Sequence, residues 1–458
     1  MRLVRLAELH VQWEVAPGPL VLSACTGNGE AARRLDVTCM EVNMEKEPTV
    51  FVGVDWASVE HQVCLVRPDG PVQRSFAHDA DSLGTMMDWL MASATDPQDV
   101  AVAIEVPHGP VVEALMDRGF AVFAINPKQL DRFRDRFSPA GAKDDRRDAL
   151  VLASSLRTDR HCFRRLEALE PVVVELREWS RMAEELKEER NRLTNRIRQQ
   201  LWRYYPQALD LGEDPGADWF LDIWSLAPTP ADATRLTDKK LARVLSANRI
   251  RRINASEIRS ILGRPALTVA AGTAEAAKAH ITAVSERVRL VNRQLKEVTR
   301  RLDALVDQLA AAPEAEPGQP VEQRDAAILR SLPGVGRIVL ATLLAEAHQA
   351  IQARDYHAIR TLTGVAPVTK RSGKSCRVEM RQACSHRLRT AVYHWARVAT
   401  QHDARSKARY AALRARGCTH GRALRGVADR LLAVACAMLE ARTTYDPLKP
   451  GQQITKAA

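Results

Sequence analysis

Four carboxylates occupy positions that an apolar chain normally avoids. Asp55 closes the apolar run TVFVGVD, and Glu105 stands near the end of VAVAIEV. A charge at the end of a buried run is costly unless it is paired or binds a cation. Further on, KDDRRDALVLA (143–153) opens a helix with Asp144, Asp145 and Asp148 set among Lys143, Arg146 and Arg147. Asp145 and Asp148, three apart, share a helix face, as do Asp144 and Asp148, four apart. Acids in a first turn also suit the positive end of the helix dipole, so a solvated helix start explains this stretch taken alone. Carboxylates converging from two strands and a helix do more. They make a dense set of oxygen ligands suited to a hard cation such as Mg²⁺ or Mn²⁺. Two such ions about 3.5–4 Å apart can activate a nucleophile and stabilise a leaving oxygen in phosphodiester chemistry.

A second group of residues points to phosphates. ILRSLPGVGRIVLATLLAEA (328–347) places Gly334 and Gly336 in a tight turn that opens a helix. Such a turn can offer backbone N–H groups to a phosphate, like a helix-hairpin-helix contact, though a plain inter-helix turn has the same spacing. Residues 360–430 hold 17 Lys or Arg against 3 Asp or Glu. That density is an electrostatic footprint for phosphates, and Lys370, Arg371, Lys374, Arg377 and Arg381 lie within it. Ser372 sits among them in Ser-Gly-Lys, by itself a common loop tripeptide.

The totals agree. The chain has 458 residues, a net charge of +11 and a pI near 9.4, which calls for a polyanionic partner. No 18-residue apolar run is present, so no membrane span is expected. Glu8, His10, Gln12 and Glu14 interrupt any signal-peptide core. Nucleic acid is the better partner. The eight cysteines form no CxxC pair and no zinc-finger spacing, and are expected as reduced thiols in a cytoplasm.

The elements that must position these groups follow from periodicity. Residues 1–45 show no clear period and precede the first strong strand, with Met40 and Met44 just before it, as in a disordered arm or a mis-called start. From 46 to 160 the pattern is three strands in hairpin order (49–55, EHQVCLVRPDG, PVQRSFAHD), then alternating helix and strand, which predicts a mixed α/β sheet. From 161 to 311 the chain is helical. Val172, Leu176, Trp179, Ala183, Leu186, Leu193 and Ile197 form one apolar seam, interrupted at Arg190. Ile281, Val284, Val288, Val291, Leu295, Val298, Leu302, Leu305 and Leu309 form another. Both have coiled-coil spacing, which serves a hairpin within one subunit or a dimerisation arm. A small helical insert (206–270) separates them. A Pro/Glu/Gly linker (312–323) leads to a mainly α-helical domain at 324–445, and a tail (446–458) ends the chain.

GVDWAS, AIEVPHG, INPKQLDRFR and KDDRRDALVLA, in that order, resemble DEDD-type insertion-sequence transposases. These are the bridge-RNA-guided recombinases, a class that includes pilin-gene-type DNA invertases. LTGVAPVTKRSGKSCRV (362–378) is similar to that family's second signature. The resemblance covers about 46–445 and departs from the family at Asp144, where Thr or Ser is usual, and again after Val378. It implies a ribonuclease-H-like, RuvC-like domain, a coiled-coil region and a serine-bearing transposase domain. It assigns the ligands to Asp55, Glu105, Asp145 and Asp148, and the nucleophile to Ser372, with Ser375 in reserve. It further implies Mg²⁺ or Mn²⁺, donor and target DNA, a structured non-coding RNA, a dimer or tetramer whose carboxylates and serine come from different subunits, and work in the bacterial cytoplasm or nucleoid. The competing readings are a metal-dependent junction nuclease that uses the carboxylates alone, and a non-catalytic nucleic-acid-binding protein.

Overall fold

The computed structural model describes residues 47–67, 69–137, 144–311, 324–373 and 375–446. The 1–45 extension, the 312–323 linker, Lys143 and Lys374 lie outside them. The chain divides into two compact units, one ending at Arg165 and the other beginning at Leu166.

In the first unit β1 (Val50–Asp55), β2 (Glu60–Arg67) and β3 (Gly70–Ala77) form an antiparallel meander. After α1 (Ala80–Met91), β4 (Val100–Ile104) adds parallel to β1. After α2 (Pro110–Asp117), β5 (Ala121–Ala124) adds parallel to β4. Then come α3 (Pro127–Phe137), α4 (Asp145–Thr158) and the short antiparallel β6 (Arg164–Arg165). The six-stranded order is β3-β2-β1-β4-β5-β6. The central β4, VAVAI, is buried throughout, as an apolar run covered on both faces requires. β5 ends at Ala124, short of the polar Asn126 and of Pro127. Asn126 accepts from the Lys128 N–H at 2.9 Å and Pro127 starts α3, so these residues serve a helix start instead.

In the second unit α5 (Pro171–Tyr204) and α10 (Thr273–Ala310) form a long hairpin. They run antiparallel, since Glu175 meets Arg301 while Glu189 meets Arg287. Between them lie α6 (Asp218–Leu226), α7 (Pro230–Ala233), α8 (Asp238–Ala247) and α9 (Ala255–Leu262). The expected seams are buried or partly buried, and they face each other within one chain. The polar interruption has a partner set. Arg190 donates to Asn292 at 2.7 Å and to Asp214 at 2.6 Å, and Asn292 donates to Asp218 at 2.8 Å.

The base of this hairpin shares one apolar core with the C-terminal helices: Leu176, Ala183 and Leu302 pack in the same cluster as Ile328, Leu340 and Trp395. Those helices are α11 (Asp325–Ser331), α12 (Arg337–Glu346), α13 (His348–Gln352), α14 (Tyr356–Leu362), α15 (His386–His402), α16 (Ala404–Ala415) and α17 (His420–Glu440). A two-stranded hairpin of β7 (Val368–Ser372) and β8 (Ser375–Glu379) interrupts them. Periodicity did not predict it, because nearly all of its residues are exposed. Among the described residues no helix is long and apolar enough to cross a membrane.

Candidate active site

The sheet brings the first two carboxylates side by side. β1 and β4 are parallel neighbours, with Val54 opposite Ile104. Asp55 ends β1 and Glu105 follows β4 directly, and both are half-buried. The helix with the other two lies on the same strand. A Cβ at Gly53 would stand 2.0 Å from the Ala149 carbonyl oxygen and 2.6 Å from the Ala153 nitrogen. Only glycine allows α4 so close to β1.

Within α4 the acids differ. Asp144 is the N-cap residue and Asp145 the first helical residue, and both are exposed. Asp148 is 1% exposed. Its two carboxylate oxygens accept from Arg134 Nε at 2.6 Å and Nη2 at 2.8 Å. Arg134 Nη1 also donates to Asp131. The bond to Asp148 raises the guanidinium pKa further, helped by the charges of Asp131 and Glu105 and opposed by burial. Glu105, Arg134 and Asp148 are therefore electrostatic neighbours.

All four side chains supply carboxylate oxygen, so the donor set fits a hard divalent cation in kind. Arg134 places a positive charge directly on Asp148. Among the described residues no three His, Cys, Asp or Glu side chains are grouped closely enough to hold a metal. Arg134 was missed in the sequence, since an arginine on a helix dense in Arg and Asp gives no cue to a buried partner.

His61 was missed too. It is fully buried on β2. Its Nδ1 accepts from the Ala57 N–H at 3.3 Å, and its Nε2 lies 2.9 Å from His78 Nδ1. His61 therefore braces the turn that follows Asp55. Burial, then the charge of His78, lowers its pKa.

In the second unit Ser372 ends β7, exposed, next to Gly373 at φ +52°. The pairs Lys370–Arg377 and Ser372–Ser375 lie opposite each other in register. Side chains alternate along a strand, so Ser372, Ser375, Lys370 and Arg377 share a face, and Arg371 lies on the other. Glu379 shares the first face. It pairs with Lys370 at 2.8 Å and Arg377 at 3.0 Å, and Lys370 leads in holding its carboxylate low. Arg381 donates to the Ala366 carbonyl at 3.2 Å, which ties down the hairpin's base.

The two glycines of the LPGVG turn do different work. Gly334 has φ +82°, and a Cβ there would stand 2.8 Å from the backbone nitrogen of Ala399. It lets the turn press on α15, where the buried Trp395 donates its indole N–H to Pro333 at 2.9 Å. Gly336 is the N-cap of α12 and has open space around it.

The chain is similar to known proteins along most of its length. Residues 52–206 match the DEDD transposase family of IS110, and residues 326–411 match the transposase family IS116/IS110/IS902. The y4uE protein of Sinorhizobium fredii, which carries a transposase name, is 51% identical over 55% of this chain and 71% of its own length. The IS117 mini-circle protein of Streptomyces coelicolor, likewise named for a transposase, is 32% identical over 90% of this chain and 99% of its own. The 43.6 kDa protein of insertion element IS110, also from Streptomyces coelicolor, is 27% identical over 88% of this chain and 96% of its own. The chain belongs to the IS110/IS116/IS902 family of DEDD-type insertion-sequence transposases.

Proposed function

We propose that the protein cuts and rejoins DNA strands as the recombinase of an insertion sequence, with Ser372 as nucleophile. The observation that carries this reading is the exposed hairpin, which presents Ser372 on one face with Lys370 and Arg377. Ser372 Oγ attacks a backbone phosphorus. An Oγ–P bond forms, the bond to one deoxyribose oxygen breaks, and that oxygen takes up a proton. A deoxyribose hydroxyl of a new end then attacks the phosphoserine and returns Ser372 to its hydroxyl form. Lys370 and Arg377 offset the charge that gathers on the phosphoryl oxygens. Glu379 holds both cations until a phosphate draws them away.

Asp55, Glu105, Asp145 and Asp148 would hold Mg²⁺ or Mn²⁺, which when bound would supply Lewis-acid polarisation of a phosphoryl oxygen. The strand order β3-β2-β1-β4-β5, with carboxylates at the ends of neighbouring β1 and β4, supports a RuvC-like reading of the first unit. The Gly336 helix start and the hairpin cations suit contact with the DNA backbone. Guidance by a structured RNA and assembly into a dimer or tetramer rest on the family likeness.

The test uses a supercoiled plasmid carrying the element's ends and flanking non-coding DNA, with protein, matching RNA and Mg²⁺. After denaturation, protein-linked DNA is scored for the wild type, Ser372→Ala, Ser375→Ala and Asp145→Ala. An adduct present in the wild type and in Ser375→Ala, and absent from the other two, is expected. Cleavage without an adduct, unchanged in Ser372→Ala, supports the junction-nuclease reading instead.

A further inference from the structure

We propose that Arg134 is a built-in counter-cation that competes with the divalent ion for Asp148, so that metal loading requires the guanidinium to turn away. The inference rests on the metal-binding reading of the carboxylates given above. Asp148 is almost sealed from water, where an ionised carboxylate cannot stand uncompensated. Arg134 supplies the charge and takes both oxygens, at 2.6 and 2.8 Å. This is the two-pronged fit of a planar guanidinium to a carboxylate. Glu105 is close enough for its charge to act on the same guanidinium. One cation thus holds Asp148, one of the four carboxylates that the metal needs, and feels the charge of Glu105. An incoming divalent ion meets it at short range, and the two repel.

The side chain also has somewhere to go. Arg134 is 20% exposed, and Asp131, 66% exposed on the same helix, already accepts from its Nη1. Asp131 remains a partner once Asp148 is given up. The charge of Asp148 is therefore balanced by Arg134, and metal entry is coupled to the movement of one side chain.

Equilibrium Mn²⁺ binding to the full-length protein, read from the electron-spin signal of the free ion, tests this. The variants are Arg134→Gln, Arg134→Lys, Asp148→Asn and Arg132→Gln. Arg132 is exposed on the same helix, so its variant removes an equal charge without touching Asp148. The expected result is Mn²⁺ binding at least tenfold tighter in Arg134→Gln than in the wild type. That gain should exceed the gain in Arg132→Gln, with Arg134→Lys intermediate and binding weakened in Asp148→Asn. Unchanged or weaker binding in Arg134→Gln, or a gain no larger than that of Arg132→Gln, overturns the proposal while leaving the metal site standing. Equal binding by the wild type and Asp148→Asn overturns the metal site itself. If Arg134→Gln folds poorly, melting temperatures with and without Mn²⁺ decide the matter. The ion should raise that of Arg134→Gln more than that of the wild type, and a smaller rise overturns the proposal.

Discussion

His61 shows how much a single buried residue can govern. Its ring joins the turn after Asp55 to His78, and its folded pKa is depressed below 6.5 by burial. Below 6.5 the unfolded chain therefore binds a proton that the folded protein resists, so stability rises with pH in that window. It should fall as pH drops through 6.5 and level off once below the depressed folded value. The slope from this one group is at most about 1.4 kcal/mol per pH unit. Thermal unfolding of the wild type and His61→Gln at pH 7.5 and 5.5 measures it. The wild type should lose more stability on acidification than the variant, and an equal loss would remove His61 as the cause. The acids were legible as residues, because a carboxylate at the end of an apolar run stands out. Their partners were not. Arg134 and His61 are paired through contacts 14 and 17 residues away in sequence, and no local pattern records such a contact.

At the scale of elements, legibility followed apolar periodicity. β1 and β4 and the seams of α5 and α10 each bury one face or run, so spacing disclosed them. The β7–β8 hairpin buries almost nothing and left no alternation to read. Close approaches between elements were equally hidden, and Gly53 is the clearest case. Gly53→Ala drives a Cβ into the α4 backbone. It should destabilise the first unit by about 3 kcal/mol or more, at the upper end of overpacking costs. Gly84 is the contrast, because it lies inside α1 with nothing within 4 Å of a Cβ. Gly84→Ala should stabilise by roughly 0.5–1 kcal/mol through helix propensity. Urea unfolding of the two variants beside the wild type gives both signs. Tolerance of Gly53→Ala would mean that α4 does not pack on β1 as described.

At the scale of the whole molecule the argument is electrostatic. The surplus of +11 is concentrated, with 17 basic residues against 3 acidic between 360 and 430. Some of these cations are already engaged: Lys370 and Arg377 by Glu379, Arg360 by Asp429, and Arg387 by Glu184 and Glu346. A group on α17 and α15 stands differently. Arg425 is depressed first by burial and then by the like charges of Arg389 and Arg422. Cations pressed together in this way repel unless a polyanion joins them. The C-terminal region should therefore bind DNA or RNA with a strong salt dependence, since each phosphate neutralised releases condensed counterions. For duplex DNA, replacing Arg422 and Arg425 together with alanine should flatten the plot of log affinity against log salt by about 1.8, near 0.9 for each lost contact. Arg300→Ala is the control, because Arg300 lies on α10 and pairs locally with Glu297. Its slope should stay that of the wild type. Equal slopes in all three proteins would mean that the arginine group meets no phosphate. The binding surface would then have to be sought on the hairpin, where Arg371 lies on the face opposite Ser372.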